Sequence, residues 1–142
     1  MQTRVYRGKE QIFCDWRRKW VRLTPEEWVG QQLLHRLVEQ FDYPASLIAV
    51  EQSITVGEAK KRCDAVVYDR QMSPILIIEC KAETVALTQK TLDQAVTYNR
   101  KLSVPYLMLF NGPQLIFVTI SSNGTYHQSQ RCPRYTDLLR SE

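Results

Sequence analysis

Lys61-Arg62-Cys63-Asp64-Ala65-Val66-Val67-Tyr68, a polar turn at 69–74, and then Ile75-Leu76-Ile77-Ile78-Glu79-Cys80-Lys81 decide the fold of this chain. The second run is apolar on both faces from Ile75 to Ile78, which marks a central strand covered on both sides. It ends in a charge pair. Glu79 and Lys81 are two residues apart, so on a strand they share a face. A charge pair at the end of a buried strand costs stability unless it is paired or metal-bound. Asp64 stands early in the preceding strand and is expected to meet Glu79 where two antiparallel strands pair. Two carboxylates set together repel unless a cation lies between them, and oxygen ligands of this kind suit Mg²⁺ or Mn²⁺. A lysine beside them can stabilise negative charge developing on a phosphate, or position or deprotonate an attacking water. The plainer reading of the same residues is a cross-strand salt bridge of Lys81 with Glu79 or Asp64.

Working outward, Thr24-Pro25-Glu26-Glu27 is a helix start: Thr as N-cap, Pro at the first helical position, Glu three residues after the cap. Val29, Leu33, Leu34, Leu37, Val38 and Phe41 follow at helical spacing, and the helix should stop before Tyr43-Pro44. From Leu47 the period changes to two, with Ile48, Val50, Gln52, Ile54 and Val56 expected on one face. A turn at 57–60 leads into a strand over 62–68 and another over 75–81. Residues 88–101 read as a helix with Leu92, Ala95, Asn99 and Leu102 on one side. Strands are expected over 106–110 and 114–120, with an edge strand and a loose tail over 121–142. The helix between strands 75–81 and 106–110 suits a parallel crossover. The fold class is therefore α/β, a central mixed β-sheet flanked by helices. The chain divides into an N-terminal basic hairpin (1–23), a core (24–120) and the edge strand and tail (121–142) of a single domain.

The 142 residues, 44% apolar and 24% charged, describe an ordinary globular chain with a formal charge of +4. The charge is concentrated: residues 1–22 carry seven basic side chains against two acids. With Tyr6, Phe13, Trp16 and Trp20 interleaved, this segment could meet a nucleic-acid backbone or be a solvated hairpin with charged edges. Lys60-Lys61-Arg62, just before Asp64, reads equally as a hairpin tip or a phosphate contact. Cys14, Cys63, Cys80 and Cys132 form no Cys-x-x-Cys pair, which argues against structural zinc. Cys63 and Cys80 read as small buried hydrophobes. His35 reads as lying on the solvated side of its helix rather than in a metal site. No signal-like start or membrane-length apolar run is present, so a reduced, cytoplasmic protein is expected. The absence of a Gly-x4-Gly-Lys-Ser/Thr loop excludes a nucleotide motor within this length.

Asp64, Glu79-Cys80-Lys81 and Gln94-x3-Tyr98 on the next helix together resemble the PD-(D/E)XK nuclease superfamily, whose restriction-endonuclease-like core is the fold expected here. The match is closer to the N-terminal nuclease-like domain of type I restriction enzyme R subunits, in a stand-alone version. Thr24-Pro25-Glu26-Glu27-Trp28-Val29, Ile48-Ala49-Val50-Glu51, residues 61–69, Ile78-Glu79-Cys80-Lys81-Ala82, Thr91-Leu92-Asp93-Gln94-Ala95, Tyr98-Asn99 and Val104-Pro105-Tyr106 look like its motifs. The resemblance implies a Mg²⁺-dependent (or Mn²⁺-dependent) deoxyribonuclease. Asp64 and Glu79 would be metal ligands, Lys81 the catalytic lysine, and Gln94 an organiser of the site with Tyr98. A first-helix glutamate, Glu27 or Glu26, would join them, although the capping box already explains Glu27. Gly30 stands where an arginine is expected. Lys60, Lys61, Arg62 and Tyr98 would face the nucleic acid. DNA, and other restriction or motor subunits, are the implied partners. The alternative is a catalytically silent DNA-binding or adaptor module with the same fold.

Overall fold

Buried apolar positions alternate along the second N-terminal strand: Ile12 and Cys14 are fully covered while Gln11 and Phe13 beside them are half-buried. The computed structural model describes residues 1–139. It places three short strands first, β1 (Thr3–Tyr6), β2 (Lys9–Cys14) and β3 (Lys19–Arg22), in a separate antiparallel sheet. The expected hairpin is thus a three-stranded meander. Its extra strand β1 is exposed throughout, and a strand with no buried face leaves no hydrophobic period to read.

Helix α1 (Pro25–Gln40) starts where the sequence indicates, with the Thr24 hydroxyl accepting the Glu27 N–H at 3.0 Å. It ends at Phe41, before Asp42 in the left-handed region and Pro44. Six strands then form the main sheet in the order β4 (Ile48–Val56), β5 (Ala59–Tyr68), β6 (Pro74–Cys80), β7 (Tyr106–Phe110), β8 (Leu115–Ile120), β9 (Tyr126–Ser129). Strands β6 and β7 run parallel, joined by α2 (Gln89–Leu102), and the other neighbours are antiparallel. Thr88 caps α2, and Ser103 closes it at φ 58°. Buried Asn99 donates from its amide to Tyr106 O at 2.9 Å, tying the helix end to the first residue of β7.

The sheet has a core on each face. Leu33, Leu34 and Leu37 of α1 meet Leu76, Ile78, Met108 and Phe110 on one side. Leu92, Val96 and Leu102 of α2 meet Ile77, Leu107 and Leu109 on the other. This two-sided cover is why 75–78 carries no polar residue.

Beyond the N-terminal meander, the main sheet and the segment after it depart from the sequence reading in three further places. The turn between β4 and β5 is Gly57-Glu58 alone, so Lys60 and Lys61 lie within β5 rather than at a hairpin tip. The face expected of 48, 50, 52, 54 and 56 switches: Ile48 and Val50 pack toward α1, Ile54 toward α2. The switch falls at Glu51, which sits at φ 51° with no ladder partner across from it. Finally, residues after β9 include a short helix, α3 (Tyr135–Leu138), with both end residues buried. Tyr43 donates to Pro133 O at 3.1 Å and Tyr135 to Tyr68 O at 2.8 Å, holding this part of the expected tail onto the sheet. Residues 140–142 of that tail lie outside the described residues.

Candidate active site

Strand β6 delivers Glu79 and Lys81 to the α2 side, as their spacing predicts. They line one cleft of about 550 Å³ with Lys61 of β5 and with Gln94 and Tyr98 of α2. Gln94 and Tyr98 are exposed on the helix face opposite buried Leu92, Ala95 and Asn99. The helix period therefore presents an amide and a phenol to the carboxylate and the ammonium.

Glu79 is mostly buried, with its side chain 14% exposed. Lys61 Nζ lies 2.8 Å from Glu79 Oε1. The ammonium contacts the buried oxygen directly, and no other donor reaches that oxygen among the described residues. Burial pushes the Glu79 carboxyl above its ordinary value. Lys61 and Lys81 oppose that shift, and the charge of Asp64 adds to it. Lys61 is raised as well, because its pairing with Glu79 outweighs its own desolvation. Its ammonium also sits 5.1 Å from the Tyr98 ring centre. The Lys81 ammonium makes no hydrogen bond or ion pair among the described residues. The salt bridge read for Glu79 is thus made by Lys61, and Lys81 is left over.

Asp64 is placed differently. The β5–β6 ladder runs to Ala65↔Ile78 and would next set Asp64 opposite Glu79. There the ladder stops, and Asp64 Oδ2 accepts the Cys80 N–H at 2.7 Å. Asp64 lines a smaller hollow on the α1 side, about 180 Å³, with Glu26, Glu27, Gly30, Gln31, Glu51 and Cys80 among its walls. The two expected metal ligands thus flank the end of β6, one opening to each hollow, and the charge of Asp64 bears on Glu79. Among the described residues, no group of three His, Cys, Asp or Glu side chains converges as a metal cage.

Glu27 does enter the α1-side hollow. Only half of its capping box forms: Thr24 takes its N–H, but its carboxylate turns to Arg17 and to Gln31 Nε2 at 2.8 Å. Arg17 comes from the β2–β3 turn and reaches Glu51 as well, Nη1 to Oε1 at 2.9 Å. Arg62 completes the chain on Glu51 Oε2 at 3.2 Å. Burial disfavours the Arg17 charge, yet hydrogen bonds with Glu27 and Cys14 hold its pKa above the ordinary value. Gly30 faces Cys80: a Cβ there would meet Cys80 Sγ at 3.9 Å, an ordinary contact, so the glycine leaves the hollow open. His35 faces the N-terminal sheet rather than open solvent, with Nε2 3.3 Å from Asp15 and its ring edge-on to Trp16 at 5.3 Å. Cys63 and Cys80 are buried, as expected. Burial pushes the Cys63 thiol up to about 11 and Cys80 up further, so neither is a ready thiolate.

Arg17, Gln31 and Glu51 are site residues that the sequence reading did not single out. Gln31 follows Glu27 at one helical turn and was open to discovery by spacing. Nothing local marks Arg17 or the left-handed Glu51.

The mixed sheet, the flanking helices and the Glu79/Lys81 pair facing Gln94 and Tyr98 define a restriction-endonuclease-like α/β module. A family model described as the type I restriction enzyme R protein N terminus (HSDR_N) matches residues 25–133, and the chain belongs to this family. A solved fragment described as an HsdR subunit of a type I restriction enzyme from Vibrio vulnificus is similar in fold, with a TM-score of 0.58 and 20% identity. The match covers 81% of this chain but only 24% of that one. A protein from Anabaena variabilis described as a nuclease belonging to DUF820 superposes with a TM-score of 0.50 at 9% identity, over 85% of this chain and 76% of its own. No curated protein matches the chain. Among the described residues, no helix is long and apolar enough to cross a membrane.

Proposed function

We propose that this chain is a Mg²⁺-dependent or Mn²⁺-dependent phosphodiesterase module acting on DNA. The observation that carries the reading is the convergence of Glu79, Lys81, Gln94 and Tyr98 on one cleft, with Asp64 fastened to the main chain between Glu79 and Lys81. The donor chemistry suits a hard cation, although the two carboxylates open to opposite hollows and no group of three ligands converges among the described residues. Glu79 Oε1 is a buried oxygen whose partner is the Lys61 ammonium at 2.8 Å, and the charge of Asp64 bears on Glu79 at the end of β6. Asp64 and Glu79 would hold the ion, and once bound it would supply Lewis-acid polarisation and a more acidic water. Lys61 holds Glu79 in place and tempers its charge. The unpaired Lys81 ammonium binds a phosphate oxygen and offsets the negative charge that grows there. Gln94 orients groups from the opposite wall, and Tyr98 borders the nucleic acid. Lys60 and Arg62 alternate with Lys61 along β5 and face the other side of the sheet, where Arg62 pairs with Glu51 beside the α1-side hollow, so they do not line this cleft. The wider α2-side cleft, about 550 Å³ against about 180 Å³, supports a reading in which the nucleotide unit lies there.

Incubation with linear and circular DNA plus Mg²⁺ or Mn²⁺ tests this. Cleavage should appear and fall at least about 100-fold in Glu79→Ala and Lys81→Ala. Cleavage that persists unchanged in both variants would sink the assignment.

A second reading, a silent DNA-binding or adaptor module, rests on the pairing already present: Lys61 occupies Glu79, and Arg17 with Gln31 occupies Glu27. Metal-independent DNA binding with no cleavage at any divalent-ion concentration would favour it. In either case the chain would join other restriction or motor subunits that reach the DNA.

A further inference from the structure

The register of the N-terminal sheet sorts its side chains cleanly. Arg4 pairs with Gln11, Tyr6 with Lys9, Gln11 with Arg22 and Phe13 with Trp20, so these seven share one face. Contacts agree: Phe13 and Trp20 meet edge to face at 5.5 Å, and Arg4 lies 4.8 Å from the Tyr6 ring centre and 4.3 Å from that of Trp20. The opposite face carries Ile12 and Cys14, both fully buried, together with the sheet's Glu10. The outward face therefore holds three basic side chains, three aromatics and one glutamine, with no acid. Arg7, in the β1–β2 turn, adds a fourth guanidinium 5.2 Å from the Tyr6 ring.

We propose that this face binds single-stranded DNA through base stacking on Tyr6 and its aromatic neighbours and phosphate contacts from Arg4, Arg7, Lys9 and Arg22. A solvated sheet has no need of aromatics on its open side, yet Tyr6 is 47% exposed. Arginine lying over aromatic rings gives flat surfaces that accept any base; Arg4 Nε donates to Gln11 Oε1 at 2.7 Å, which leaves its terminal nitrogens as donors for phosphate. A duplex would use only the charges, because its base faces are hidden. Unpaired bases use both features. The surface lies outside the matched family segment, which begins at residue 25, and it does not depend on catalysis at Glu79. DNA rather than RNA follows from the proposed substrate of the cleft, and the choice rests on that reading.

The test is fluorescence anisotropy of the full chain with a labelled 20-nucleotide oligo-dT in chelator, so that cleavage plays no part. Binding should weaken with salt. It should fall roughly 5- to 100-fold in Tyr6→Ala, and measurably in Lys9→Glu, where an exposed position keeps the fold. No binding, or binding untouched by Tyr6→Ala, overturns the proposal. So does equal affinity for the duplex or the matching oligo-rU, or for polyglutamate, which would mark a charge-only or protein-directed surface. DNA cleavage by the chain with no such binding overturns this inference alone, and binding without cleavage overturns only the nuclease reading.

Discussion

Asp64 Oδ2 accepts the main-chain N–H of Cys80 at 2.7 Å, where the β5–β6 ladder would otherwise set a residue pair. A side chain thus replaces a strand bond, and the same carboxylate is a proposed metal ligand. The two duties can be separated. Asp64→Asn keeps an oxygen for the Cys80 N–H but loses the charge, so it should stay within about 1 kcal/mol of the native stability while losing cleavage. Asp64→Ala leaves a donor unsatisfied and should cost about 1–3 kcal/mol. Urea midpoints measured beside DNA cleavage distinguish them.

Glu79 sets a pH dependence. Its carboxyl is raised, mainly by burial, so its protonated form is favoured in the folded chain. The contribution to stability is fully present below the ordinary glutamate range and is lost as pH rises through the folded value. Glu79→Gln should therefore gain on the native chain in thermal melts as pH climbs from 4 to 8. A divalent ion needs the ionised carboxylate, so stabilisation by Mn²⁺ should be larger at pH 8 than at pH 5. A Mn²⁺ shift independent of pH would count against Glu79 as a ligand.

Lys61 lies 2.8 Å from that carboxylate and lowers its pKa. Lys61→Met removes the attraction and should push Glu79 higher still. The acid limb of the cleavage–pH profile should then move to higher pH, with activity recovering in alkaline buffer. A purely structural Lys61 would lower activity evenly across the profile.

Arg17 and Glu27 form a partly buried pair, their side chains 17% and 19% exposed. Arg17→Ala would leave Glu27 and Glu51 facing one hollow without their shared cation. A double-mutant cycle of Arg17→Ala with Glu27→Gln should return a coupling of about 1–3 kcal/mol from denaturant unfolding. Coupling near zero would mean that Gln31 alone holds Glu27.

Much of the architecture was legible because its signals are local. Thr24 caps α1, and the apolar run before Glu79 announces a covered central strand. Spacing two sets Glu79 beside Lys81, and spacing four sets Gln94 beside Tyr98. The relation of Asp64 to Glu79 was less so. Antiparallel pairing set them opposite each other, whereas Cys63 and Ala65 pack into opposite cores and the alternation breaks at Asp64. That break lies across from left-handed Glu51, held by two arginines distant in sequence. Non-local ion pairs of this kind leave no periodic trace. The α3 helix escaped notice because four residues are too few to show a helical period.

The Arg17 anchor also bears on where the cooperative unit ends. The family segment spans 25–133, yet the guanidinium between Glu27 and Glu51 arrives from before it, and Tyr135 fastens the sheet from after it. A chain trimmed to the homologous segment would keep every residue of the acid–lysine signature. It would lose the counter-charge of the α1-side hollow and the Tyr135 clasp on the same face of the sheet. The segment that the family model matches is thus smaller than the set of residues that make these contacts.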